Sequence, residues 1–166
     1  LIVPEGAPFS PLNDVLLTSD FKNTLNTTPS VPIKNFLSAF NPTLHVINVD
    51  KDGSYIFHPD EFVFTEGAPG FFNKLASLFS RIVIVTNQRG VGRGLMTDAT
   101  LHDIHLHMTT EIEAAGGRID AIYYCSSIHN DHPERKPNPG MAIRARLNFP
   151  EIDFGKSIMV GNTISD

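Results

Sequence analysis

From residue 44 onward, short apolar runs alternate with segments whose apolar residues recur at helical spacing. The runs at residues 44–49, 81–86, 119–124 and 157–160 predict four β-strands. Two stripes predict helices between them: Phe71, Phe72, Leu75, Leu78 and Phe79, then Leu101, Ile104, Met108 and Ile112. Thr97 stands where it would cap the second helix, and a third, shorter helix is predicted at about 139–147. This alternation predicts an α/β fold, a Rossmann-like parallel sheet with helices on both faces.

The first 43 residues differ from the rest of the chain in amino-acid composition. They hold six of the twelve prolines and a Thr/Asn-rich stretch, which is typical of an arm or linker. Ile33, Phe36, Leu37 and Phe40 have i, i+3, i+4, i+7 spacing, so one short helix is predicted inside this arm. We therefore divide the chain into an arm or linker at 1–43 and an α/β domain at 44–166.

Composition narrows the class of protein. The chain has 166 residues, 41% of them hydrophobic, and its net charge is −5. Its apolar runs are far shorter than the roughly 18 residues that a bilayer span needs, and the negative charge disfavours polyanions. We expect neither a membrane nor a nucleic acid as partner. The single cysteine, Cys125, rules out an internal disulfide and suits the cytoplasm.

The two ends of the chain leave its extent open. It begins with Leu1 rather than methionine, and open sheets of the predicted kind usually continue past a segment such as 161–166. A longer chain with an additional domain, truncated here at its carboxyl end, is compatible with both observations.

Polar residues follow each predicted strand, which is where ligands bind in parallel sheets. Asp50 and Asp52 follow the first strand, and their i, i+2 spacing points both side chains the same way if the strand continues. One carboxylate could attack phosphorus while the other protonates the leaving oxygen. An ordinary Asp/Gly turn explains the same residues equally well.

The second predicted strand ends in Thr86 and Asn87, which offer a hydroxyl and an amide to a bound oxygen. The glycine-rich stretch behind them, residues 90–94, lacks the spacing of a dinucleotide fingerprint, and a flexible turn is the simpler interpretation. Arg93 within it could contribute a guanidinium to a pocket or simply be solvated.

Two further groups complete the candidate site. Lys136, after Arg135, could neutralise charge where a carboxylate meets a phosphoryl group, although an ordinary surface lysine is the better interpretation in isolation. Asn162 and Asp166 follow the last strand, and hard oxygen ligands there suit Mg²⁺, although a helix cap would also explain them.

The motifs gain weight from their order along the chain. The sequence runs VDKDG at 49–53, VTNQRGVGRG at 85–94, RKPNPGM at 135–141 and VGNTISD at 160–166. This order resembles the haloacid-dehalogenase (HAD) superfamily, and within it the heptose-bisphosphate phosphatases and their histidinol-phosphatase relatives. The resemblance covers residues 45–166 and leaves the arm outside.

The resemblance implies a role for each motif residue that matches. Asp50 would be the nucleophile and Asp52 the acid/base. Thr86 would bind the transferring phosphoryl group with Asn87 beside it. Lys136 would stabilise charge.

The resemblance also implies that Arg135 reaches the substrate and that Mg²⁺ lies on the Asp50 carboxylate, the Asp52 carbonyl and position 162. The family pattern has aspartate where this chain has Asn162, and losing that charge should weaken metal binding. Asp166 could compensate.

Many relatives carry a zinc site in the loop before Arg135. Here only Cys125 remains of the cysteines, with His129, Asp131 and His132 nearby, so zinc is not expected. His102, His105 and His107 are interpreted as a solvated helix face rather than a metal cluster.

These interpretations predict a Mg²⁺-dependent phosphate monoester hydrolase that acts on a small sugar phosphate or bisphosphate through an aspartyl phosphate. Two alternatives stay open. One is a catalytically weakened HAD-like domain with a binding or regulatory role, and the other is a phosphotransferase that uses the same intermediate.

Overall fold

The structure, a computed structural model, describes residues 14–18 as backbone and residues 47–49, 51 and 54–161 with their side chains. The strands are β1 Asp14–Thr18, β2 Arg81–Asn87, β3 Ala121–Cys125 and β4 Ser157–Val160. The α-helices are α1 Ala68–Leu78, α2 Arg89–Gly92, α3 Asp98–Ala114 and α4 Gly140–Asn148. Two 3-10 turns, Pro59–Glu61 and Phe154–Lys156, complete the described elements.

The strands form one parallel sheet with the order β3-β2-β1-β4. β1 pairs with β2 in the register Leu16↔Val83 and with β4 in the register Val15↔Ile158. Because every pair is parallel, the carboxyl ends of all four strands lie at one edge of the sheet. The predicted parallel α/β fold is confirmed, and β2, β3 and β4 lie within two residues of their predicted bounds.

The first predicted strand is wrong in its described part. Residues 47–49 do not join the parallel sheet, since Asn48 forms an antiparallel bridge with Phe64. The position between β2 and β4 belongs instead to β1, which comes from the region predicted as an arm. A central parallel strand is buried on both faces and favours an unbroken apolar run. Residues 15–17 are Val-Leu-Leu, whereas polar His45 and Asn48 interrupt residues 44–49.

The side chains of β2 alternate between two hydrophobic cores. Ile82 and Ile84 pack into the larger core with α1 and α3. Val83 and Val85 pack into the smaller core, to which α4 contributes Met141. Helices therefore cover both faces of the sheet, as predicted.

The helical stripes behave largely as their spacing predicts. All four apolar residues of the predicted α3 stripe are buried: Leu101, Ile104, Met108 and Ile112. The Thr97 hydroxyl accepts a hydrogen bond from the Thr100 amide at 3.0 Å, which confirms the predicted cap. In α1, Leu78 departs from the prediction because it is exposed. None of the helices among the described residues is long and apolar enough to cross a membrane.

Candidate active site

The carboxyl ends of β2 and β3 bring two predicted site residues into direct contact. The Asn87 amide nitrogen donates to the Lys136 carbonyl at 3.3 Å, and the Lys136 N–H donates to the Asn87 side-chain oxygen at 3.0 Å. This reciprocal pair joins positions 49 residues apart in sequence. Asn87 thus holds the backbone of Lys136, and the side chain of Lys136 is only 4% exposed. Lys136 is therefore not an ordinary surface lysine.

Thr86 precedes this pair at the end of β2 and is fully buried, with 0% exposure. Its hydroxyl accepts a hydrogen bond at 2.9 Å from the side chain of Gln88. Gln88 is also buried, and its backbone N–H donates to the Cys125 carbonyl at 2.8 Å. Sequence reasoning assigned Gln88 no role. The signal was available, because i, i+2 alternation along a strand places residues 86 and 88 on one side.

A compact turn presents Lys136. The Arg135 N–H donates to the His132 carbonyl at 2.9 Å, and the Asn138 N–H donates to the Arg135 carbonyl at 2.8 Å. The Gly140 N–H, at the start of α4, donates to the Pro133 carbonyl at 3.0 Å. A Cβ atom on Gly140 would lie 2.5 Å from that carbonyl oxygen, so glycine is required for the approach. These bonds fix the turn through backbone groups.

The glycine-rich stretch at residues 90–94 is helical in its first part and a turn in its second. Residues 89–92 form α2, which packs against the loop after β3. A Cβ atom on Gly92 would lie 1.9 Å from the Ser126 carbonyl oxygen, so only glycine allows this contact. Arg89 strengthens the same junction through its hydrogen bond to the Asn130 side chain. The loops after β2 and β3 are therefore locked together.

Arg93 and Arg135 lie at this edge with different exposure. Arg93 is exposed, and its guanidinium donates to the Tyr55 hydroxyl at 3.4 Å. Arg135 is half-buried, and its guanidinium donates to the Ser127 carbonyl at 3.4 Å. The two guanidinium groups thus contact the segments that follow the first predicted strand and β3, through Tyr55 and Ser127.

The remaining predicted site residues fall outside the described part of the chain: Asp50, Asp52, Asn162 and Asp166. Their described neighbour Lys51 forms an ion pair with Glu61 at 2.7 Å. The hydrogen bond from Lys51 is the main cause that lowers the pKa of Glu61. Lys51, which lies between the two aspartates in sequence, is thereby paired with Glu61.

These four residues offer oxygen donors to a metal ion. Carboxylate, amide and backbone carbonyl groups are all hard oxygen donors, the class that Mg²⁺ prefers. The residues present therefore fit magnesium by ligand type. Across the described residues, no group of three or more histidine, cysteine, aspartate or glutamate side chains could hold a metal ion.

Comparison with known proteins identifies relatives of this chain. A D-glycero-alpha-D-manno-heptose-1,7-bisphosphate 7-phosphatase from Burkholderia mallei is 32% identical over 130 residues, which are 71% of this chain and 66% of that protein. A D-glycero-beta-D-manno-heptose-1,7-bisphosphate 7-phosphatase from Salmonella typhi is 33% identical over 72% of this chain and 71% of that protein. The chain belongs to the heptose-bisphosphate phosphatase family of HAD-like proteins.

A solved structure agrees with the sequence match. The D,D-heptose 1,7-bisphosphate phosphatase from B. bronchiseptica, complexed with magnesium and phosphate, superposes with a TM-score of 0.63. It is 26% identical, and the match covers 84% of this chain and 64% of that one. The chain thus spans about two thirds of the length of these family members. No family model matches the chain.

The loop between Cys125 and Arg135 holds the residues considered as zinc ligands on the basis of the sequence. Cys125 is buried, and its sulfur lies 3.6 Å from the His132 Nδ1 atom. His129 and Asp131 are exposed. His132 also accepts a hydrogen bond from the Glu134 N–H at 3.2 Å. Through these contacts and its carbonyl bond to the Arg135 N–H, His132 stabilises the turn that leads to Lys136.

The three histidines of α3 lie apart from the family motifs, and the predicted solvated face is wrong for one of them. His102 is exposed, but His105 is buried at 8% exposure and lines a cavity of about 300 Å³ with Tyr124 and Asp98. Burial is the main cause that lowers the pKa of His105 to about 4. The Tyr124 hydroxyl donates to Asp98 at 2.7 Å, which raises the pKa of the tyrosine. His105 follows Leu101 by four residues and so shares the apolar stripe.

Proposed function

We propose that this chain is a Mg²⁺-dependent phosphatase that hydrolyses a small sugar bisphosphate, with heptose 1,7-bisphosphate as the first candidate substrate. The observation that carries the proposal is the reciprocal Asn87–Lys136 pair beside the buried Thr86 hydroxyl. It unites two family motifs at the carboxyl edge of a parallel sheet, the edge where ligands bind. The names of the relatives from B. mallei and S. typhi supply the substrate class.

The proposed reaction has two steps. In the first step, an oxygen of the Asp50 carboxylate forms a bond to phosphorus as the bond between phosphorus and the sugar oxygen breaks. Asp52 gives the departing sugar oxygen a proton. Asp52 then accepts a proton from water as the water oxygen attacks phosphorus. This second step releases inorganic phosphate and restores the Asp50 carboxylate.

Contacts between the loops support the convergence that this reaction needs. Tyr55, three residues after Asp52, lies against Gly90, where a Cβ atom would be 3.6 Å from the tyrosine ring. Gly90 follows Thr86 by four residues, and Gly92 touches the loop that leads to Lys136. The segment after the aspartates is thereby held beside the turn after β2.

Burial supports the proposed electrostatic role of Thr86 and Lys136. A phosphoryl group carries negative charge on its equatorial oxygens, and charge stabilisation is stronger where water is excluded. Thr86 and Lys136 are 0% and 4% exposed, the Thr86 hydroxyl accepts a hydrogen bond from Gln88, and the backbone of Lys136 is held by Asn87. They would hold a phosphoryl group without reorganising when it reacts.

In this proposal Mg²⁺ would be held by Asp50, the Asp52 carbonyl and Asn162, with Asp166 nearby. The ion would neutralise negative charge on the phosphoryl oxygens. Arg135 and Arg93 are the proposed contacts for the rest of the substrate. Their guanidinium groups lie near the Ser127 carbonyl and the Tyr55 hydroxyl, and a guanidinium group can bind a phosphate through two parallel hydrogen bonds.

The test is phosphate release by the purified chain with Mg²⁺ and with EDTA. The substrates are heptose 1,7-bisphosphate, a hexose bisphosphate and histidinol phosphate. We expect turnover of the heptose bisphosphate that depends on Mg²⁺ and exceeds the others. A parallel reaction with an added sugar acceptor tests for phosphotransfer.

The outcomes separate the candidate functions. No phosphate release from any substrate, with retained binding of the bisphosphate, would favour the weakened binding domain motivated by Asn162. Transfer of phosphate to the acceptor in preference to water would favour the phosphotransferase. Preferred turnover of histidinol phosphate would overturn the substrate class.

A further inference from the structure

Gln88 occupies an unusual place for a polar residue. It follows β2 directly, yet its side chain is 2% exposed and ranks among the fully buried side chains of the described residues. Its backbone N–H donates to the Cys125 carbonyl at 2.8 Å, which ties the end of β2 to the end of β3. The backbone at Gln88 is therefore anchored to the end of β3.

The contact between Gln88 and Thr86 has a defined polarity. The Gln88 Nε2 atom lies 2.9 Å from the Thr86 hydroxyl and carries only protons, so it donates and the hydroxyl oxygen accepts. A hydroxyl has one proton and two lone pairs. When a lone pair is used by Gln88, the proton of Thr86 is left to be donated elsewhere.

Phosphoryl oxygens accept hydrogen bonds and donate none when ionised. We infer that Gln88 is a positioning residue that fixes the Thr86 hydroxyl as a donor to a phosphoryl oxygen. This inference rests on the proposed function, because it assumes that a phosphoryl group binds beside Thr86. Gln88 itself need not touch the substrate.

A purely structural role for Gln88 makes a different prediction. A buried amide that only fills space would affect stability, and its effect on catalysis would not depend on Thr86. A positioning residue acts through its neighbour, so its effect on phosphate should vanish when the Thr86 hydroxyl is removed. A double-mutant cycle distinguishes the two roles.

The cycle uses Gln88→Met, Thr86→Val and the double variant, each measured for kcat, KM and binding of inorganic phosphate. We expect Gln88→Met to lower kcat/KM about tenfold in the native background and to change it less than about twofold in the Thr86→Val background. Thermal unfolding of each variant checks that the fold is retained. An equal loss in both backgrounds, or native activity in Gln88→Met, would overturn the inference.

Gln88→Glu tests the polarity of the contact. Its carboxylate has the shape of the amide but only accepts, so the Thr86 proton would turn towards it and away from the phosphoryl group. We expect kcat/KM to fall about a hundredfold, with partial recovery at low pH, where a protonated carboxyl can donate again. Native activity at neutral pH would show that the hydroxyl donates to residue 88, contrary to the inference.

Phosphate binding separates this inference from the proposed function. If no variant and no wild-type chain turns over a substrate, the proposed function fails, while the cycle measured by phosphate affinity still decides the role of Gln88. If the wild-type chain turns over but the cycle is additive, the positioning role alone fails.

Discussion

The two ends of strand β2 are stabilised in different ways. At the amino end, Arg81 forms ion pairs with Asp120 at 3.0 Å and with Glu151 at 2.6 Å. Arg118 pairs with the other oxygen of Asp120 at 3.1 Å. At the carboxyl end, neutral amide and hydroxyl groups hold the backbone of Lys136 and the Thr86 side chain. At the amino end, charged side chains thus pair with each other, whereas at the carboxyl end the amides of Asn87 and Gln88 orient the backbone of Lys136 and the Thr86 hydroxyl.

The difference indicates that the amino end of β2 contributes to stability and the carboxyl end to activity. At the amino end, Asp120 also accepts a hydrogen bond from the Ile82 N–H at 2.7 Å, so its carboxylate serves the strand itself. The hydrogen bond from Arg81 to Glu151 is the main cause that raises the pKa of the arginine. At the carboxyl end, the amides of Asn87 and Gln88 orient the backbone of Lys136 and the Thr86 hydroxyl, the groups proposed to contact a phosphoryl group. Substitutions at the amino end should cost stability, and those at the carboxyl end should cost activity.

Lys136→Met gives the largest expected effect of this contrast. Removing the ammonium while keeping the volume should lower kcat/KM by about 10²–10³-fold, because one preorganised charge partner of the phosphoryl group is lost. Lys156→Met, at an exposed lysine, should leave kcat/KM unchanged. Steady-state kinetics on both variants measure the effect, and native kcat/KM in Lys136→Met would refute its role.

Asp120→Ala tests the opposite end. It removes the acceptor of the Ile82 N–H and the shared partner of Arg81 and Arg118, so the free energy of unfolding should fall by about 2–4 kcal/mol. Urea denaturation measures this change. The kcat/KM of the folded fraction should stay within about threefold of the native value. A large loss of activity without a loss of stability would break the contrast.

His105 provides a pH-dependent test away from both ends of β2. The pKa of His105 is lowered from 6.5 to about 4. Between these two pH values the imidazole is therefore protonated in the unfolded chain and mostly neutral in the folded chain. Stability should therefore fall by about 2–3 kcal/mol as pH drops from 6.5 to 4, with no contribution above that window.

The measurement for His105 is urea denaturation between pH 4 and 7. His105→Phe should show a weaker pH dependence than the native chain, whereas His129→Gln, at an exposed histidine, should not. Identical pH dependence of stability in His105→Phe and the native chain would show that His105 does not cause the loss of stability at low pH.

Asn162→Asp gives the smallest expected change. Restoring the carboxylate of the family pattern should tighten Mg²⁺ binding about tenfold, because ligand charge governs the affinity of a hard-oxygen site. Titration calorimetry with Mg²⁺ measures it. Asn73→Asp, which adds the same charge at an exposed position, serves as control. Equal Mg²⁺ affinity in native and Asn162→Asp chains would place residue 162 outside the metal shell.

Local patterns in the sequence predict α1, α3, α4 and three of the strands. The α3 stripe is an example, since its four apolar residues are all buried as their 3.6-residue period requires. The first predicted strand is wrong in its described part, residues 47–49, because a position buried on both faces favours the unbroken apolar run at 15–17 over a run that Asn48 interrupts.

The candidate site is less readable from the sequence than the fold. The Asn87–Lys136 pair depends on tertiary packing that brings distant residues together, and no local period encodes it. Gln88 and His105 are polar residues in buried positions, which a polar-outside rule misplaces. The order of the motifs identifies the family, but the hydrogen bonds that orient each group appear only in three dimensions.

Phosphate release by Asp50→Asn, measured beside the exposed-site control Asp103→Asn, tests the central claim most directly. The account predicts that Asp50→Asn keeps the native circular dichroism spectrum and loses at least about 10³-fold in kcat with heptose 1,7-bisphosphate and Mg²⁺, while Asp103→Asn keeps native kcat. Native turnover in folded Asp50→Asn would contradict it.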